Sequence, residues 1–212
     1  MWWRHEWVMV LALLLATSGC LKVRTDSQPV DIFQLSLHGE KTIREAAVAG
    51  GEGPVLLVGL PRSEPGFDQL RIAYRTRAYE LKYFSASQWA DTPAHMLSPL
   101  VVEAFERRGS WSAVVAAPTV LRADYRLDLS DLVLVQEFLE VPSRVRLSWK
   151  ARIVRLQDGV LVGAERFEAL RPSPSEDAYG GVLAANKALA QLLEDMAMWA
   201  ERCVRKPREV GC

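Results

Sequence analysis

The stretch RVRLSWKARIVRLQDGVLVGAERFEAL, residues 144–170, limits the possible folds of this 212-residue chain more than any other segment. Val145, Leu147, Trp149, Ala151 and Ile153 alternate with polar residues, and a period of two turns one face of a strand to a core and the other to water. Asp158-Gly159 then separates this run from a second apolar run, a strong signal for a hairpin. A hairpin this long with one apolar face needs a second layer to cover it.

Two segments have the pattern to supply that layer. In PAHMLSPLVVEAFERRG, Met96, Leu97, Leu100, Val101, Ala104 and Phe105 recur at spacings of three and four; Pro99 restricts the helix start and Gly109 follows the last turn as a cap would. In the segment from Ser175 to Val204, Val182, Ala185, Leu189, Leu192, Met196, Trp199 and Cys203 form one long stripe. Further strands are read at DIFQLSL, at VLLVGLP, and where Leu70, Ile72 and Tyr74 alternate with Arg71 and Arg75. Others fall where Tyr79, Leu81 and Tyr83 alternate with Glu80 and Lys82, at WSAVVAA, and at YRLDLSDLVLV, where Tyr125, Leu127 and Leu129 share a face before the run turns wholly apolar. HGEKTIREAAVAGGEGP reads as loop. About seven strands in mostly consecutive antiparallel runs predict an α+β domain, an antiparallel-rich twisted sheet with two amphipathic helices packed on one face.

The N-terminus reads differently. MWWRHEW carries Arg4 and His5 ahead of an apolar run from Trp7 to Ala16, after which the residues become small, the order of a secretory signal. The run falls short of the roughly 20 apolar residues that span a bilayer. Thr17-Ser18-Gly19-Cys20 has the form of a bacterial lipobox cut between Gly19 and Cys20, leaving Cys20 as the acylated first residue. Thr17 departs from the usual leucine; the alternative is an ordinary signal with Cys20 as a bystander thiol. The expected organisation is a signal peptide at 1–19, a lipidated tether at 20–29, one domain at 30–205 and a tail at 206–212. About 190 residues then remain, enough for one domain with a sizeable core.

Twenty-six basic and 26 acidic residues are interleaved, which argues against a nucleic-acid groove. Arg202, Arg205, Lys206 and Arg208 form a local basic cluster, either a solvated tail or a contact for lipid head groups. Cys203 and Cys212 lie close in sequence: an exported chain can bridge them, or Cys203 faces the core and Cys212 stays free.

No catalytic constellation emerges. There is no Gly-x-Ser-x-Gly elbow, and Ser63 lacks that context. After the signal the histidines are His38 and His95, the latter at a helix start and read as a surface or capping residue. The glycines of GGEGP lack the strand and the Lys-Ser/Thr of a phosphate loop. The pairs Glu137/Glu140 and Glu165/Glu168 read as solvated charge. No metal set, cofactor fingerprint or enzyme is expected. Tyr74, Tyr79, Tyr83, Phe84 and Trp89 cluster in sequence and admit two readings, an apolar interaction surface or packing of the sheet against the helix at 95–108.

The order of these features resembles a known family. A lipobox, the strand PVLLVGLP, then LRIAYRTRAYELKYFSASQWADTPAHMLSPLVVEAF, ADYRLDLSDLVLVQEF, the hairpin around RLQDGVLVGAERF and a final long helix are similar to the ABC-type transport auxiliary lipoproteins, the PqiC-like components of MCE lipid-transport systems. The resemblance covers about residues 54–203. It implies a non-catalytic lipoprotein on the periplasmic face of the outer membrane, held by acylated Cys20. It also implies as partners an MCE-domain protein with its ABC permease and ATPase, and a lipid or other hydrophobic cargo; the sequence leaves self-association as a homo-oligomer open. Leu21 after the cysteine, rather than aspartate, agrees with the outer membrane. A hydrophobic-ligand carrier and a structural envelope lipoprotein are the alternatives.

Overall fold

In the computed structural model, residues 29–37, 53–206 and 212 are described. The signal, Gly19, Cys20, most of the tether, His38 and Arg208 lie outside them. The strands are β1 (Asp31–Phe33), β2 (Val55–Val58), β3 (Arg71–Arg75), β4 (Lys82–Trp89), β5 (Ala113–Ala116), β6 (Tyr125–Glu137), β7 (Arg144–Arg155) and β8 (Val160–Pro172); the helices are α1 (Pro93–Glu106) and α2 (Ala178–Arg205). The result is the α+β architecture expected from the sequence pattern.

β6 organises the sheet. One of its edges carries β7 and then β8, both antiparallel, and Asp158-Gly159 lies in the turn between those two, Gly159 at φ 71°. The other edge receives two strands in succession, both parallel: β2 beside its first residues, with Leu56 opposite Tyr125, and β3 beside its last, with Arg75 opposite Glu137. β5 flanks β2 in parallel; β4 flanks β3 antiparallel, with β1 parallel to β4 at the outside. The parallel pairings arise because the chain after β2 does not fold back. It follows the edge of β6, Gly59, Arg62 and Glu64 donating their N–H groups to the carbonyls of Leu127, Leu129 and Leu132. β3 therefore resumes in the original direction.

A bulge explains why β6 begins with alternation and ends wholly apolar. The register slips between Ser130 and Val133, Asp131 adopts φ 56°, and the inward parity changes from Leu127 and Leu129 to Leu132, Leu134 and Gln136. Val145, Leu147, Trp149, Ala151 and Ile153 of β7 are all buried beneath α2. α2 presents Val182, Ala185, Leu189, Leu192, Met196, Trp199 and Cys203 to them, all buried. Its approach is close at both ends. A Cβ on Gly181 would lie 2.3 Å from Gln136 Oε1, and one on Gly163 of β8 would lie 2.9 Å from the Trp199 ring.

Both helices start on side-chain caps: Thr92 Oγ1 accepts from His95 N, and Asp177 accepts from Gly180 N. Its bonds to Ser175 and to Gly180 N hold the Asp177 carboxyl below the usual carboxylate range. α1 begins at Pro93, so Pro99 sits inside the helix rather than at its start. The missing N–H is tolerated because Pro99 and His95, one turn earlier, are both on the exposed side. α1 covers β5, β2 and the start of β6, α2 covers β7 and β8, and the two helices touch.

Candidate functional site

The sheet has two ends. One, called proximal below, is formed by the loops 76–81 and 138–143, which leave β3 and β6 side by side as Phe138 N bonds Arg75 O. The other, distal, holds the β7–β8 turn and the segment 117–124, where Leu156 N bonds Asp124 O. Each end exposes apolar side chains: Tyr79, Leu139 and Val141 on the first, Val120, Leu121 and Leu161 on the second.

The five clustered aromatic residues do not form one surface. Trp89 is in the core at 2% exposure. Tyr74 and Phe84 pack with ring centroids 4.7 Å apart and are joined by Phe138, whose ring lies 5.8 Å from Tyr74. Tyr83 lies under the Arg71 guanidinium, 4.4 Å from the ring centroid, and its hydroxyl donates to Gly66 O at 3.0 Å. Tyr79 alone is fully exposed, in a turn rather than the strand its spacing suggested, at φ 64°. Phe138 sits beyond the strand it follows and gave no periodic signal that could have linked it to Tyr74 and Phe84.

Glu137 is not the solvated carboxylate that its polar neighbours suggest. It is buried to 6% exposure and accepts from Arg75 and Arg146, while Arg146 also reaches Glu168. This charge chain ties β3, β6, β7 and β8 together beneath the proximal loops. Next to it, on the helix side, Gln136 Nε2 donates to Ser143 Oγ at 3.0 Å and Ser143 N donates to Glu176 Oε1 at 2.8 Å. Glu140, by contrast, is exposed and pairs with Arg144 at 2.9 Å.

The distal half is fastened by other means. Phe105, Trp111 and Tyr125 stack at 6.1 and 6.2 Å between centroids. Arg108, just past α1, donates through Nε and Nη2 to the buried Glu201 of α2. The bond to Glu201 raises the Arg108 pKa. Burial pushes the Glu201 carboxyl up, but hydrogen bonds from Arg108 and Ser110 outweigh it and leave the carboxyl below its ordinary value. A disulfide joins Cys203 to Cys212, with Cα atoms 5.3 Å apart.

Among the described residues, a gap between sheet and α2, lined by Ile72, Trp89, Leu134, Val145 and Ala185, measures about 10 Å³. That is room for a single water, not an acyl chain. Larger clefts of about 430 and 230 Å³ are open to solvent; Glu165, Glu168, Asp195 and Arg202 line much of the first, and the second sets Glu201 and Arg205 beside Pro54, Trp111 and Val204. Among the described residues, no group of three or more His, Cys, Asp or Glu is placed to hold a metal ion, and no helix is long and apolar enough to cross a membrane. His95 faces solvent, its Nδ1 3.3 Å from Asp91.

A mixed sheet covered on one face by two helices is a fold that solved structures share. Protein XCC0632 from Xanthomonas campestris aligns with a TM-score of 0.72 at 24% identity, over 83% of this chain and 97% of its own. An uncharacterized protein aligns at 0.58 and 16% identity, over 84% and 99%. These are likenesses of fold. No curated protein matches the chain. The model of the ABC-type transport auxiliary lipoprotein component family matches residues 33–197, and the chain belongs to that family.

Proposed function

We infer that this chain is the non-catalytic auxiliary subunit of an MCE-type ABC system that moves phospholipid or another hydrophobic molecule. Acylated Cys20 holds it on the periplasmic face of the outer membrane, after cleavage behind Gly19. More than one acyl chain on that cysteine makes the attachment stable, each buried methylene contributing about 0.8 kcal/mol. Its partners are an MCE-domain protein with the permease and ATPase, and copies of itself.

The observation that carries this reading over a carrier role is the filled interior. A pocket for a lipid-sized ligand needs on the order of 300 Å³ or more of largely apolar space. The gap between the layers here is about 10 Å³, and the roomier clefts open to solvent, each with carboxylate and guanidinium groups in its lining. A domain built this way acts through its surface. Affinity capture of the mature chain from detergent-solubilised membranes, followed by mass spectrometry for protein and lipid, tests it. Capture of an MCE-domain protein without stoichiometric lipid is the expected result; one lipid per chain and no such protein would establish the carrier instead. For the anchor, a fatty-acid analogue should label the wild-type chain and not Cys20→Ser.

A further inference from the structure

The proximal end carries apolar side chains that the fold does not use. Tyr79 is 105% exposed and Val141 is 91% exposed, with the half-exposed Leu139 beside Val141 in its loop. Tyr79 also holds a left-handed backbone conformation, unfavourable for a residue with a Cβ. That geometry is braced rather than loose. Glu80 accepts from Thr76 Oγ1 at 2.6 Å and from Arg77 Nε at 3.2 Å, and pairs with Lys82 Nζ at 3.2 Å. The Thr76 bond is the main cause that draws the Glu80 carboxyl down to about 2, so the brace is ionised at any physiological pH. A turn fixed by its own charges thus presents a tyrosine to solvent, where packing gains nothing from it.

The chain's entry point says what faces that end. β1 runs parallel to β4 with Asp31 opposite Ser87, so residues before Asp31 come from the side where β4 begins at Lys82, which is the proximal end. With the register shift in β4 counted, Pro29 stands about level with Lys82 and Tyr74, and at about 3.3 Å per strand residue it is about 40 Å from the distal turn. The extended segment from Cys20 to Pro29 reaches at most about 30 Å. With Cys20 in a bilayer, the proximal loops can rest on the lipid, and an upright domain cannot bring its distal loops down to it.

We propose that loops 76–81 and 138–143 seat the domain end-on in the lipid interface of the membrane that holds Cys20, with Tyr79, Leu139 and Val141 entering the head-group layer. Tyrosine suits that depth, an apolar ring with a hydroxyl that stays wet. Arg77 and Arg144 flank the contact, 79% and 44% accessible, each paired with a neighbouring acid, Glu80 and Glu140, so that this rim sets no unbalanced negative charge against lipid phosphates. This rests on the reading of Cys20 as the anchor, and the experiment separates the two.

Nitroxide labels are placed one at a time through Tyr79→Cys, Val141→Cys and Val160→Cys in the mature acylated chain. The chain is reconstituted on vesicles of phosphatidylethanolamine and phosphatidylglycerol. Flotation reports the anchor, and the accessibility of each label to oxygen against an aqueous nickel chelate reports depth. All three positions are exposed, and circular dichroism of each labelled chain verifies the fold. Labels at 79 and 141 should show a several-fold higher oxygen-to-nickel ratio than the label at 160. Equal, aqueous ratios at all three positions on a chain that floats would overturn the docking and leave the anchor standing; failure to float with Cys20 intact would overturn the anchor.

Discussion

At the proximal end the loops stand on polar groups drawn into burial, Glu137 between two arginines and Gln136 among serines, whereas the distal half is fastened by stacked rings, a disulfide and an ion pair between helices. The difference teaches where the fold can afford exposed apolar tips. Directional bonds fix the loop trunks at the proximal end, so Tyr79 and Val141 need not pack to be positioned. Distally, stacked rings, the disulfide and the Arg108–Glu201 pair do the holding, and the exposed Val120 and Leu121 belong to a segment that connects β5 to β6.

Removing the proximal trunk should have the largest effect on stability. Glu137→Ala leaves Arg75 and Arg146 without their shared carboxylate, a loss of about 3 kcal/mol. For a domain of this size that lowers the melting temperature by about 10 °C, readable by thermal circular dichroism. A change under 1 °C would mean that the charge chain contributes nothing and that the two ends are held alike.

Next in size is the distal staple. Reducing Cys203–Cys212 opens a loop with a sequence separation of 9, which loop entropy values at about 2–3 kcal/mol. Urea denaturation with and without reductant measures it, and two free thiols in the untreated protein would remove the bridge altogether. The smallest effect is pH-dependent. Glu201 has a folded pKa below its unfolded value, so its contribution is present above the unfolded pKa, near 4.5, and is lost as pH falls through the folded one. Glu201→Gln should therefore be less stable than wild type at pH 7, and the gap should close as pH falls below the unfolded value and through the lower folded one. A gap that is constant with pH would assign the effect to packing.

The distribution of what the sequence reveals follows the same division of the molecule. β7, β8 and α2 are long, so their period repeats enough to specify face as well as type: every apolar residue from Val145 to Ile153 named by alternation is buried. β2 and β5 have four residues each, too few for any period to show that they pair in parallel. Tyr79 continued an alternation that the chain breaks with a turn held by Glu80, a side-chain network that hydropathy does not register. Glu137 escaped because what buries it is a pair of arginines from β3 and β7, remote or across a turn, which no periodicity along β6 registers. The aromatic cluster was legible in composition alone; which ring goes inward depended on pairings that sequence neighbours do not share.

The orientation of the domain joins these observations to the family's role, and photo-crosslinking in cells tests it most directly. A benzophenone amino acid is placed at Val141 or at Val160 of the full chain, and adducts are resolved after irradiation by mass spectrometry. Lipid adducts from position 141, with none from position 160, are the predicted result. Lipid adducts from 160 and none from 141 would contradict it, placing the distal end at the membrane.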